Sequence, residues 1–209
     1  MSDKFKLLLK QIHFPQHEEA YNEIKSGSIE SVKLFKSKRQ WFFVFSFRNL
    51  LSYETFTLFD NLLHSSFDSL GAKVSYMINV EDISCDQSLL EAYFSYALDI
   101  LKSSHFSIYS LFSNLGIEIS NNSISVKAPA HILRENLHER FIALIADVLS
   151  NVGLSNVSIS VLEDKEASSS LEEAYETNKI SLQEEAESQA RQALQSIVQS
   201  SPVPPPQKH

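Results

Sequence analysis

Histidine is the residue of this sequence best suited to metal or acid–base chemistry, and the chain contains seven of them. Zinc sites on a helix place two histidines four residues apart, so that both imidazoles lie on one face. His13 and His17 have this spacing, but Pro15 between them interrupts a helix. His138 and the glutamate after it begin like a zinc-protease motif, but Ile142 stands where the second histidine is needed. We therefore predict no metal site.

Glycine and cysteine usage argues against several other kinds of site. Phosphate-binding loops and nucleophile elbows need closely spaced glycines, because the backbone must approach a ligand or turn sharply. Here the four glycines are scattered along the chain: Gly27, Gly71, Gly116 and Gly153. Cys85 is the single cysteine, so neither an internal disulfide nor a Cys-rich metal site can form. The sequence predicts no catalytic residues and no cofactor in this chain.

One group of residues is suited to binding. Basic side chains and a tryptophan recur between positions 32 and 49 without any acidic residue: Lys33, Lys36, Lys38, Arg39, Trp41 and Arg48. Cations beside aromatic rings are typical of sites for a nucleic-acid backbone, and they also suit an acidic segment of a partner protein. The alternative is that the basic residues protect the edge of an aromatic hairpin from aggregation, with Trp41 in the core.

The net charge of −8 argues against a protein that binds nucleic acid over its whole surface. The charge is uneven, however: residues 1–80 carry +2, whereas residues 81–162 and 163–209 carry −5 each. A contact with a polyanion is therefore expected in the first segment. The segment from Met1 to Ile12 is short and charged and does not resemble a signal peptide. No run of apolar residues approaches the roughly 18 that a membrane span requires. We predict a cytoplasmic protein without membrane contact.

Hydrophobic periodicity predicts that residues 1–81 form a first domain of order ααββαβ. Its predicted elements are two short helices, two strands, a long helix and a last strand, at 4–12, 17–25, 29–35, 41–47, 52–70 and 74–80. The strand at 41–47 is apolar on both faces, which favours a central strand covered on both sides. Ser52 is a good helix cap, and Gly71 suits the helix end.

Residues 86–163 are predicted to form a second domain with the same element order, although no sequence repeat is visible. Its predicted elements are helices at 86–102 and 107–113, strands at 117–119 and 124–126, one continuous helix from Pro129 towards Gly153, and a strand at 157–161. Asn121 and Asn122 tolerate positive φ and predict a hairpin turn. Both domains are expected to be small two-layer α/β sandwiches in an α+β protein.

The composition changes after residue 163. Residues 164–199 are rich in Glu, Gln, Ala and Leu, a mixture that favours an acidic helical linker. Residues 200–209 contain most of the prolines and predict an extended, disordered Pro-rich tail.

At this point the sequence resembles a known family. The segment SKRQWFFVF at 37–45, followed by Leu50-Leu51, Tyr53, Phe59 and Phe67, resembles the opening domain of PolC-type bacterial DNA polymerase III alpha subunits. Leu89-Leu90-x-x-Tyr93, the segment 131–136 and Asn151-Val152-Gly153 resemble the second N-terminal domain of that family. The resemblance covers nearly the whole chain.

The resemblance implies a first domain similar to the polymerase-binding domain of the clamp loader's tau subunit and a second domain that is KH-like. The parent protein is then a DNA-directed DNA polymerase, and magnesium is expected only for the polymerase and exonuclease domains, which this chain lacks. We therefore expect an excised fragment or a truncated gene product. The Gly-x-x-Gly loop of RNA-binding KH domains is missing, and Pro129-Ala130-His131-Ile132 occupies the helix entry. We do not expect nucleic-acid binding by the second domain.

These observations predict a non-catalytic interaction module of the replisome. Its expected partners are other replisome subunits, either a clamp-loader tau-type subunit or helicase-loading proteins, together with weak DNA contact through the basic hairpin. One alternative is a free-standing cytoplasmic adaptor unrelated to replication. Another is a small enzyme with an unrecognised site.

Overall fold

A computed structural model describes residues 2–16, 19–120 and 122–165. The first part of the chain contains α1 (Asp3–Gln11), α2 (Glu19–Ile24), β1 (Ser28–Phe35), β2 (Gln40–Asn49), α3 (Tyr53–Ser69) and β3 (Lys73–Asp82). The second part contains α4 (Gln87–Ser104), α5 (Phe106–Phe112), β4 (Gly116–Ser120), β5 (Ser123–Ala128), α6 (Ala130–Arg134), α7 (Leu137–Asn151) and β6 (Ser158–Glu163). The predicted α+β class is confirmed, with two three-stranded sheets packed against helices.

The two sheets have the same topology. In the first, β1 and β2 form an antiparallel hairpin, and β3 returns parallel to β2 after α3. In the second, β4 and β5 form the hairpin, and β6 returns parallel to β5 after α6 and α7. The repeated element order that the sequence predicts is thus accompanied by repeated strand order, although the side chains of the two parts differ.

The strand β2 is central in its sheet, as predicted, but its two faces differ in burial. Phe43, Phe45 and Phe47 are buried on the face that α1 and α3 cover, where Phe5 and Phe59 meet Phe45 and Phe47 edge-on. The alternate residues, such as Phe42 and Val44, are only half-buried. The expected cover on both sides is therefore not observed. Apolar residues on both faces of this strand do not predict burial on both, because α1 and α3 pack on one face only.

The predicted ends of α3 are confirmed. The Ser52 hydroxyl accepts a hydrogen bond from the Thr55 amide over 3.3 Å, which satisfies one free N–H of the first turn. The carboxylate of Glu23 in α2 accepts bonds from the Ser52 amide and hydroxyl at 2.8 and 2.9 Å. At the other end Gly71 has a φ of 64°, and the Ala72 amide bonds back to the Phe67 carbonyl. The first contacts fix the start of α3, and the last fixes its connection into β3.

The single helix expected from Pro129 is in fact two helices, and this prediction is wrong. Asn136 adopts a left-handed conformation, with a φ of 55°, between α6 and α7. The sequence pattern does not indicate the break at Asn136, because Leu133 and Leu137 keep the four-residue spacing of a continuous helix. The predicted end of the second helix at Gly153 is confirmed, with a φ of 99° and a Leu154 amide bonded to the Leu149 carbonyl.

Residues 1–163 form one compact unit whose buried side chains come from both sheets and their helices. Tyr93 of α4 lies against Phe56 of α3, with ring centroids 5.1 Å apart. The division into domains at 1–81 and 86–163 stays a prediction. The predicted acidic linker at 164–199 falls outside the described residues apart from its first two, and the Pro-rich tail at 200–209 falls outside them entirely.

Candidate nucleic-acid interface

The turn between β1 and β2 places several cations at one end of the first sheet. Lys36 and Lys38 belong to a single 3-10 turn, and Arg39 follows with a φ of 48° in the left-handed region. The Arg39 carbonyl accepts a hydrogen bond from the amide of Lys73, the first residue of β3, over 2.8 Å. This bond fixes the start of β3 beside the turn. No sequence pattern marks Lys73, but this bond places it beside the predicted cations.

The strand register assigns the neighbouring side chains to faces. Cross-strand partners share a face of the sheet, and successive residues alternate between faces. Phe35 lies opposite Gln40, which lies opposite Lys73. One row further along the sheet, the partners are Lys33, Phe42 and Ser75. We call these six residues the outer tip face, because they lie opposite the face on which α1 and α3 pack.

The outer tip face combines two phenylalanines with two lysines. Phe35 is 46% exposed, and both lysines are exposed. The Gln40 side chain donates a hydrogen bond through Nε2 to the Ser75 hydroxyl over 3.1 Å, which joins β2 to β3. None of the six residues is acidic. In proteins that bind single-stranded nucleic acid, exposed aromatic rings stack with bases and lysine ammonium groups neutralise phosphates.

Two predicted site residues lie elsewhere. Trp41 is on the opposite face of the sheet, where its ring stacks on Phe43 at 6.2 Å and meets the edge of Phe67 at 5.9 Å. Arg48 is exposed near the other end of β2, about 23 Å from Trp41 at the usual rise per residue. The structure thus gathers Lys33, Lys36, Lys38 and Arg39 at one end of the sheet, and separates Trp41 and Arg48 from them.

A second polar cluster lies between α3, β3 and α4. The Tyr76 hydroxyl donates a hydrogen bond to Asp60 Oδ1 over 2.5 Å, and His64 Nε2 lies 3.3 Å from the same oxygen. Burial raises the pKa of Tyr76 and of Tyr96 far above the ordinary tyrosine range. The hydrogen bond to Asp60 raises the pKa of His64, against the opposing effect of its partial burial. Tyrosines that stay protonated donate hydrogen bonds, as Tyr76 does to Asp60 here.

The histidines do not assemble into a site. His13 lies exposed after α1 with a φ of 57°, and residue 17 is outside the described ranges. His138, at the start of α7, has a buried Nδ1 without a hydrogen-bond partner. Within residues 2–16, 19–120 and 122–165, no group of three or more His, Cys, Asp or Glu side chains is arranged to hold a metal ion. Over the same part of the chain, no helix has both the length and the apolar character that crossing a membrane requires.

The fold and the surface define a class of protein, an α+β module whose first sheet carries a basic aromatic face. Comparison with known proteins gives its family. Residues 4–78 match DNA polymerase III polC-type N-terminus I, and residues 92–207 match DNA polymerase III polC-type N-terminus II. The chain belongs to the PolC-type DNA polymerase III family.

Relatives align with nearly the whole length of this chain. The DNA polymerase III PolC-type of Streptococcus agalactiae serotype III is 28% identical over 195 residues, which cover 93% of this chain and 13% of that protein. Its counterpart in Streptococcus suis is 25% identical over 206 residues, covering 98% of this chain and 14% of the relative. The chain therefore spans about one seventh of these relatives' length. No solved structure matches it.

Proposed function

We propose that this chain is a non-catalytic module of a bacterial replicative DNA polymerase and that its outer tip face contacts single-stranded DNA. The observation that carries the proposal is the grouping of Phe35 and Phe42 with Lys33 and Lys73 in two adjacent cross-strand rows. Because the chain belongs to a DNA polymerase family, DNA is the nucleic acid that such a face would contact.

Single-stranded DNA fits this face better than a duplex does. Bases in a duplex stack on one another and offer no free ring surface, whereas unpaired bases stack on exposed phenylalanines. Lys36, Lys38 and Arg39 lie at the same end of the sheet and extend the basic surface along a strand's backbone. With few cations and a net charge of −8 for the chain, the contact is weak, and its affinity falls with salt in proportion to the few phosphates that are neutralised.

The second sheet is not part of this proposal. Residues 81–162 carry a net charge of −5, and the connection between α6 and α7 is Glu135-Asn136, without the glycines of a backbone-clamping loop. The KH-like description of this part stays a prediction.

The test is fluorescence anisotropy with a labelled oligothymidine of about 12 nucleotides at about 50 mM salt. We expect the full chain to bind, and Lys33→Glu with Lys73→Glu to weaken binding by at least tenfold. The matched control is Lys6→Glu with Lys25→Glu, which makes the same charge change at exposed positions in α1 and just beyond α2. Absence of binding, or equal loss in both double variants, would overturn the proposal. Stronger competition by polyglutamate than by unlabelled DNA would instead assign the face to an acidic protein segment.

We also propose cytoplasmic protein contacts with other replisome subunits, namely a clamp-loader tau-type subunit or helicase-loading proteins. Exposed apolar side chains on the other side of the first sheet support a protein contact. Sedimentation of the purified chain with each purified protein tests this. Co-migration is expected with one of them, and failure with both would remove these partners.

A further inference from the structure

A groove opens on the helix-covered side of the first sheet. Its floor is formed by Ile29 of β1 with Trp41 and Phe43 of β2, and its walls are formed by α1 and the last turns of α3. The cavity has a volume of about 660 Å³. That volume lies within the range of roughly 300–1,000 Å³ typical of ligand clefts. The groove exists because Phe5 holds α1 over Phe45 and Phe47, which leaves the hairpin end of the sheet less covered.

The apolar side chains along this groove are unusually exposed. Leu7 of α1 is 66% exposed, and Leu70 at the end of α3 is 69% exposed. On β1, Val32 and Leu34 are 43% and 45% exposed, and they pair with Phe43 and Trp41 on the groove side of the sheet. Exposed apolar residues scattered singly need no explanation, but a contiguous set bordering a cleft is typical of an interaction site.

We infer that this groove binds an amphipathic α-helix of a partner protein whose apolar stripe is flanked by acidic residues. The floor and walls offer an apolar trough for side chains at i, i+3 or i+4, and i+7 of a helix. Among the described residues that line the groove, Lys4 is a cation and none is acidic. Asp68, in the last turn of α3, is not among them.

Charge complementarity selects this occupant over a second copy of the chain. Lys4 lies in the α1 wall, and the basic turn at 36–39 follows directly after Leu34 and Phe35 at the end of β1. A symmetric dimer through this groove would bring the same cations of both copies together. An acidic helix places carboxylates beside them instead.

The inference deepens the proposed protein contact and rests on it, whereas it shares with the nucleic-acid proposal only the basic turn at 36–39, since the groove and the outer tip face lie on opposite sides of the same strands. Trp41 is the single tryptophan of the chain and lies in the groove floor, so its fluorescence reports occupancy directly. The probes are three synthetic peptides of about 18 residues, or five helical turns. One carries a leucine stripe flanked by glutamates, one has lysines in place of those glutamates, and one has the acidic composition in scrambled order.

We expect the acidic amphipathic peptide to shift the Trp41 emission of the full chain to the blue and to saturate. Leu7→Gln with Leu70→Gln should weaken that binding by about tenfold or more, because both leucines lose buried apolar contact. The control Leu162→Gln changes a leucine of β6 that is 51% exposed, and it should leave binding unchanged. No shift with the acidic peptide, equal binding of the lysine or scrambled peptide, or insensitivity to the double variant would overturn the inference. So would concentration-dependent dimers of the chain that Leu7→Gln with Leu70→Gln abolishes, since the occupant would then be a second copy.

Discussion

The hydroxyl of Tyr93 in α4 donates a hydrogen bond to the backbone carbonyl of Leu51, 3.1 Å away, just before α3 begins. Both residues are buried, with Tyr93 1% and Leu51 3% exposed. The bond joins the part of the chain that carries the second sheet to the part that carries the first. It explains why a tyrosine stands among phenylalanines in this core, since the bend before α3 leaves a carbonyl that needs a donor.

We expect Tyr93→Phe to lower the free energy of unfolding by about 1–3 kcal/mol, because the Leu51 carbonyl loses its donor in a buried place. Tyr93→Leu should cost more, about 3–5 kcal/mol, because a cavity is added to the lost bond. Urea titrations followed by circular dichroism measure both. Equal stability of Tyr93→Phe and the unchanged protein would contradict a role for this bond.

The glycine after α7 is expected to resist substitution. Gly153 has a φ of 99°, and an added Cβ would lie 2.5 Å from Val80 Cγ2 in β3. Gly153→Ala should therefore destabilise the fold by about 2 kcal/mol or more, from backbone strain and from the clash together. Gly116→Ala is the matched control, because its added Cβ would meet nothing closer than the Lys127 side chain at 3.9 Å. Thermal melts that rank the two variants equally would contradict this account.

The ion pair of His64 with Asp60 predicts a pH dependence. The pKa of His64 is raised in the folded chain, chiefly by its hydrogen bond to Asp60. The folded state thus binds this proton more tightly than the unfolded state does. The resulting stabilisation is fully present below the ordinary histidine value of 6.5 and is lost as the pH rises through the raised value.

Its size is small, since the His64 side chain is 46% exposed and solvent screens the pair. His64→Gln should flatten the fall in unfolding free energy just above pH 6.5, measured by urea titration at several pH values. A fall of the same steepness in the variant would assign the pH dependence to another group.

The aromatic part of the outer tip face can be tested separately from its charges. Phe42→Leu keeps an apolar, half-buried side chain but removes the ring that would stack on a base. We expect oligothymidine binding to weaken by about tenfold, within the usual contribution of one stacked base. Phe106→Leu, at an aromatic position of α5 that is 63% exposed, is the control. Equal affinity of Phe42→Leu and the unchanged chain would exclude stacking at this position.

Local features of this fold could be predicted from the sequence, whereas contacts between distant segments could not. The Ser52 cap and the Gly71 and Gly153 helix ends depend on a few neighbouring residues. The break at Asn136 was missed because the apolar spacing continues across it. Lys73 joins the basic turn only through parallel pairing of β3 with β2, and no pattern in the chain specifies that register.

The candidate site shows the same division. The basic turn was found from its residues alone, because Lys36, Lys38 and Arg39 are adjacent in the chain. Trp41 and Arg48 are also near the basic turn in sequence. However, side chains alternate between the faces of β2, so Trp41 lies on the opposite face of the sheet, and Arg48 lies near the far end of the strand. The exposure of Phe35 and the half-burial of Phe42 depend on which face of the sheet α1 and α3 cover, and the sequence alone does not determine which of two apolar faces that is.

The salt dependence of oligothymidine binding tests the central claim most directly. For single strands, each lysine that neutralises a phosphate contributes about 0.7 to the slope of log affinity against log salt concentration. We expect Lys33→Ala and Lys73→Ala each to reduce the slope by about that amount, while Phe42→Leu weakens binding at an unchanged slope. Slopes for Lys33→Ala and Lys73→Ala equal to that of the unchanged chain would show that DNA does not lie on this face.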